Sequence, residues 1–241
     1  ARGKLHLDAD GEPIDWLVFM RRLPADRMLD RMIANQTATA AEAQKVGAIL
    51  SKFYKQSPAV VITSAEYRGR LVGDVLANRR ELAKPEYALP LELLESTTQA
   101  QLEYLDHKSE LFEDRIRAGK IIEAHGDLRP EHICLEKEPV IIDCLEFNRD
   151  FRILDAVSEL AFLALECERL GASWIGQLIL KTYGDETGDR PPEDLLEFYQ
   201  SFHACLRAKI AIWHLNDHGV QDWVKWTGRA KQYLDLAPSL Q

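Results

Sequence analysis

The hydrophobic pattern changes period along the chain. Leu5-His6-Leu7 alternates, Asp8 to Pro13 supplies turn residues, and Ile14 to Met20 runs back almost unbroken as an apolar segment. That opening predicts a β-hairpin whose second strand is largely buried. Beyond Met20 the spacing becomes helical. Pro24 suits the first turn of a short helix through Met32. Thr37 or Thr39 caps a helix to Tyr54, and Ser64 starts another towards Leu82. Leu94, Thr98, Leu102, Leu105, Ser109, Phe112 and Ile116 form one stripe, predicting a single helix over 91–117. Two short strands follow, near 133–135 and 140–144, with the loop 125–131 in front of them. The next helix, over 154–170, contains Leu160-Ala161-Phe162-Leu163-Ala164-Leu165, apolar on every side, as in the middle of a core. Residues 173–233 read as helical again, interrupted at 184–192. Phe202, Leu206, Ile210 and Trp213 make the best stripe there, and Trp213, Trp223 and Trp226 read as core packing. No internal repeat or interdomain linker is visible. The pattern predicts an α+β chain: a small β piece, then a large helical body with an embedded β-hairpin.

Composition narrows the classes. Of 241 residues, 46% are hydrophobic and 29% charged, which excludes a disordered chain and leaves length for a core. With 30 Lys+Arg against 39 Asp+Glu the net charge is −9, which argues against a general nucleic-acid or anionic-membrane binder. A local basic site is still allowed. The longest apolar run, Leu160–Leu165, is far short of the ~20 residues a membrane span needs, and no signal-peptide pattern stands behind Ala1-Arg2-Gly3-Lys4. Cys134, Cys144, Cys167 and Cys205 form no C-x-x-C pair and read as reduced, mostly buried thiols of a cytoplasmic protein.

The chemistry concentrates in one stretch. His125-Gly126-Asp127-Leu128-Arg129-Pro130-Glu131-His132 leads into the first short strand, and Ile141-Ile142-Asp143 ends the second. Two carboxylates are thereby brought to the ends of one hairpin. Phosphoryl transfer uses such a pair, one to orient and deprotonate the acceptor hydroxyl, the other to hold Mg²⁺ against the nucleotide phosphates.

These residues resemble the aminoglycoside phosphotransferase and choline kinase superfamily, small-molecule kinases with a protein-kinase-like fold. His125-Gly126-Asp127-Leu128 matches the catalytic loop, Ile141-Ile142-Asp143-Cys144 the metal strand, and Asp155-Ala156-Val157-Ser158-Glu159-Leu160-Ala161 the start of the buried helix. The wording from Asp143 to Arg149 looks like a bacterial branch sometimes fused to a P-loop kinase domain. The resemblance implies an ATP-dependent phosphotransferase (ATP or another nucleoside triphosphate, with Mg²⁺) acting on a hydroxyl of a small molecule. Asp127 would be the catalytic base and Asp143 the metal ligand. His125 and Glu159 would support the loop, and Met20-Arg21-Arg22 would be the hinge that meets the adenine. Glu146 is a further candidate ligand, and Arg129, Arg149 and Arg152 are candidate contacts to phosphate or substrate.

Two features depart from the family pattern. The Asn expected five residues after the catalytic Asp is His132, a candidate metal ligand whose nitrogen suits Zn²⁺ better than Mg²⁺. A Gly-rich loop, a strand Lys and a paired helix do not fit before Met20, so residues 1–22 are expected to be the remnant of a small lobe and hinge. The missing part of that lobe is expected upstream, and residues 23–241 are expected to form the helical catalytic lobe. The competing expectation is a kinase-like binding or regulatory module without catalysis. A zinc site from His125, His132, Cys134 and Cys144 is a distant third, since their spacing matches no common zinc pattern.

Overall fold

The computed structural model describes residues 16–17, 19–216 and 222–240. The predicted first strand and turn lie outside them. Trp16, Leu17, Phe19 and Met20 are in irregular backbone and exposed, not in a buried strand. Among the described residues no strand pairs with this run.

The helical body follows its local signals closely. A 3₁₀ turn, Ala25–Arg27, leads into α1 (Leu29–Ala34). Helices α2 (Ala40–Gln56) and α3 (Ser64–Leu82) each open with a reciprocal capping box. Thr39 accepts from the Glu42 N–H, and the Glu42 carboxylate accepts from the Thr39 N–H at 3.0 Å. Thr63 and Glu66 repeat the arrangement. The predicted helix over 91–117 is two, α4 (Leu91–His107) and α5 (Ser109–Arg117), broken at Lys108 (φ −101°, ψ 28°). The stripe continues across the break, with Leu94, Leu105 and Phe112 fully buried. The bend lets Phe112 meet Tyr104 and Phe198 edge-on while those two rings stack at 4.8 Å.

Two small antiparallel ribbons follow. β1 (Ile121–Glu123) pairs with β4 (Ile153–Asp155), matching Ile121 to Asp155 and Glu123 to Ile153. Sequence pattern indicates neither, because three residues are too few to show a period. β2 (Ile133–Cys134) pairs with β3 (Val140–Ile141). The expected extension of that strand to Cys144 fails at Asp143, whose left-handed φ of 66° is incompatible with a strand.

α6 (Ala156–Arg169) is buried on nearly every side, as its sequence predicts, and Asp155 caps it by accepting from the Val157 N–H at 2.9 Å. α7 (Ser173–Thr187) lies so close to α6 that a Cβ on Gly176 would sit 2.6 Å from the Ala164 Cα. In α8 (Glu193–Trp213) the buried arc runs through Leu195, Phe198, Tyr199, Phe202, Cys205, Ala208 and Ile212. The predicted stripe is displaced to its edge: Leu206 and Ile210 are half-buried and Trp213 is exposed. Packing of α8 against α3, α6 and α9 (Trp223–Asp235) selects this arc, and its alanines carry little weight in an amphipathicity reading. Trp223 is likewise exposed, and only Trp226, stacked on His214 at 4.1 Å, is substantially covered. The four cysteines are free thiols, with Cys144 exposed and the others buried. No helix among the described residues is long and apolar enough to cross a membrane. The chain is α+β and mainly helical.

Candidate functional site

β1 delivers the loop that starts at His125, and α6 clamps it from below. Gly126 has φ +84°, and a Cβ there would come within 3.0 Å of the Phe151 carbonyl, so glycine is required twice over. Its N–H donates to Glu159 Oε1 at 2.6 Å. Glu159 Oε2 accepts from the His125 N–H at 3.3 Å and from the Tyr54 hydroxyl at 2.8 Å. Burial pushes the Glu159 carboxyl up, opposed by these donors. His125 fixes the other side of the loop. Its Nε2–H donates to the Ile142 carbonyl at 2.8 Å, and its Nδ1 accepts from the Asp127 N–H.

Asp127 and Asp143 converge on one imidazole. His132 Nδ1 donates to the Asp127 carbonyl at 2.8 Å and lies 3.9 Å from its carboxylate, while Nε2 lies 3.3 Å from Asp143 Oδ2. The two acids differ in setting: the Asp127 side chain is 23% exposed and that of Asp143 74%. Burial raises the Asp127 pKa, while Arg129, Arg207 and His132 pull it back down. The Arg129 guanidinium donates to Asp127 Oδ2 through Nε at 3.0 Å, to Glu131 at 2.5 Å and to His132 Nε2 at 2.9 Å. Arg129 therefore touches the candidate base itself.

Arg149 and Arg152 are committed elsewhere. Both donate to Glu123, at 2.7 and 2.5 Å, and Arg152 also donates to the Leu145 carbonyl. Met20, Arg21 and Arg22 are exposed, and Arg21 forks onto Glu136 at 2.8 and 2.6 Å, tying this segment to the turn between β2 and β3. Glu146 is exposed in the loop after Asp143.

Two groups that the sequence does not flag bear electrostatically on this region. Arg207 of α8 acts through space on Asp127, and Arg169 of α6 feels Glu131. They lie far along the chain from Asp127, in helices where an arginine reads as a surface charge. Among the described residues no cluster of three or more His, Cys, Asp or Glu side chains is placed to hold a metal, which removes the four-residue zinc arrangement. The donors present fit a hard ion shared with a ligand: Asp143 offers an exposed carboxylate, and Mg²⁺ commonly takes one or two such groups and completes its shell with phosphates and water. His132 Nε2 is already an acceptor for Arg129 and its Nδ1–H is spent on the Asp127 backbone carbonyl, so it is placed to hold the loop more than to ligate.

No protein-family model matches the chain, and no solved structure matches it. Over 109 residues it is 38% identical to uncharacterized proteins from two strains of Mycobacterium tuberculosis and one of Mycobacterium bovis. The matched segment covers 45% of this chain and 22% of each relative, so the chain corresponds to a minor part of those proteins.

Proposed function

We propose that the chain is the large lobe of a phosphotransferase with protein-kinase-like architecture, moving a phosphoryl group from a nucleoside triphosphate to a hydroxyl of a small molecule. The observation that carries this reading is the convergence on His132 of two carboxylates in unequal settings, one enclosed and one exposed. Asp127 receives the acceptor. Its Oδ2 is held by Arg129, which leaves Oδ1 to orient the hydroxyl and take its proton. Glu159 and His125 keep the backbone around Asp127 fixed, so the carboxylate needs little reorganisation. Mg²⁺ on Asp143 would neutralise charge on the transferring group. Met20, Arg21 and Arg22 would border the nucleotide.

Asp127→Asn in the full-length protein tests the assignment. Transfer to a panel of hydroxyl metabolites should fall by about 10²–10⁴-fold, the usual contribution of a positioned base, with nucleotide affinity unchanged. Undiminished turnover would sink the mechanism. The contact of Arg129 with Asp127 favours a second reading, a binding module whose base is permanently occupied. That reading predicts nucleotide binding with no transfer to any acceptor, in wild type as in Asp127→Asn.

A further inference from the structure

Tyr54, one of the groups that hold Glu159, also lines a cavity that the phosphotransfer reading leaves unused. The cavity measures about 200 Å³, with Tyr54, Lys55 and Ser57 at the end of α2, Lys120 and Ile122 around β1, and Tyr183 of α7 among its walls. The Tyr54 hydroxyl donates to Glu159 Oε2 at 2.8 Å, and the same carboxylate accepts from the His125 and Gly126 N–H groups. One side chain therefore separates this space from the support of the Asp127 loop.

The wall keeps one kind of free side-chain donor. Its hydroxyl hydrogens are spent: Tyr54 on Glu159, Tyr183 on Asp189 at 2.6 Å, Ser57 on the Phe53 carbonyl at 3.0 Å and Thr187 on the Tyr183 carbonyl at 2.7 Å. Its two ammonium groups are not. Lys55 gives one hydrogen, to the Glu186 carbonyl at 3.1 Å, and Lys120 lies 3.5 Å from Asp189 Oδ2 with no hydrogen bond of its own among the described residues. The cavity is lined by no carboxylate among the described residues. Asp155 and Asp189 offset Arg115 and Lys120, and Lys55, which forms no ion pair among the described residues, is the charge left over. Helix carbonyls that would repel an anion here are already matched: those of Arg115 and Ile116 by the Lys120 and Gly119 N–H groups, and that of Gly184 by Gly188.

We propose that this cavity binds a small oxyanion, a phosphate or a carboxylate, through the ammonium groups of Lys55 and Lys120. Donors that are all cationic and still have hydrogens to give suit an acceptor-only, negatively charged ligand. The volume lies below the about 300–1,000 Å³ of pockets for drug-sized molecules, so the ligand is a free small ion and not a nucleotide. The chain's net charge of −9 does not oppose this, because charges beyond about 10 Å are screened. The site goes beyond the phosphotransfer reading and does not depend on it.

Inorganic phosphate and malonate, titrated separately into the full chain at fixed ionic strength and followed by amide NMR, test the site. At least one anion should move the Gly119 and Lys120 amides saturably, and Lys55→Gln and Lys120→Gln should each weaken its binding by about tenfold. Tighter phosphate supports a phosphate ligand, and tighter malonate supports a carboxylate. Gly119 and Lys120 amides that stay still up to about 20 mM of both anions overturn the proposal, and that result needs no variant to fold. So does an affinity that both folded lysine variants leave unchanged. Shifts confined to Gly126 and Arg129 put the anion at the Asp127 loop and overturn it as well.

Discussion

His125 and His132 hold opposite tautomers, fixed by their partners: the first donates from Nε2 to Ile142, the second from Nδ1 to Asp127. A third histidine behaves differently. His203 of α8 is buried against Ser158, at 2.9 Å, and stacked on Phe162, at 4.9 Å, and among the described residues its Nδ1 has no partner. Burial, aided by Arg207, pushes its pKa down to about 3. The folded chain therefore refuses a proton that the unfolded chain accepts below about 6.5. The stabilisation from keeping it neutral is complete above that pH and is lost as pH falls towards 3. Urea unfolding at pH 7 and pH 5 checks this. His203→Leu should shrink the stability difference between the two pH values by about 2 kcal/mol. An unchanged difference would mean that the imidazole titrates normally.

Among the elements, the α6–α7 contact and helix α3 give opposite outcomes for the same substitution. Gly176→Ala places a methyl 2.6 Å from the Ala164 Cα, in backbone that cannot step aside, so overpacking at about 1–3 kcal/mol outweighs the helix-propensity gain of about 1 kcal/mol. Gly73 in α3 faces open space, and Gly73→Ala should stabilise by about 0.5–1 kcal/mol. Thermal melts of the two variants should move in opposite directions. The helices themselves were largely legible. Thr39, Ser64 as a helix start and the stripe from Leu94 to Phe112 act within a few residues, and the structure keeps them, with Thr63 as the cap in front of Ser64. The break at Lys108 and the buried arc of α8 were not legible, because packing of Phe112 and Phe198 against partners elsewhere decides them.

Across the whole molecule, Arg115 joins three regions. It forks onto Asp155 at 2.8 and 2.7 Å and onto Asp189 at 2.5 and 2.9 Å, with Tyr183 and Tyr199 completing the two carboxylates. Asp155 caps α6 one turn before Glu159, so this network also sets the height of the helix that clamps the loop bearing Asp127. Arg115→Met leaves the buried Asp155 without a cation and Asp189 with Lys120 alone, and should cost about 3–5 kcal/mol in urea unfolding. A loss below about 1 kcal/mol would show that the carboxylates find other partners or simply take up protons.

By itself the sequence determined the starts of α2, α3, α4 and α7, the all-buried α6 and the loop bearing Asp127 with Asp143 following, since caps, periods and turn residues operate over one or two helical turns. Only the tertiary structure decided which charges serve the site. It committed Arg149 and Arg152 to Glu123, set Arg129 on Asp127, paired β1 with β4, and gathered Arg207 and Arg169 on the buried Glu166. An arginine's role depends on which carboxylate packing leaves within reach, and no spacing rule along the chain encodes that distance.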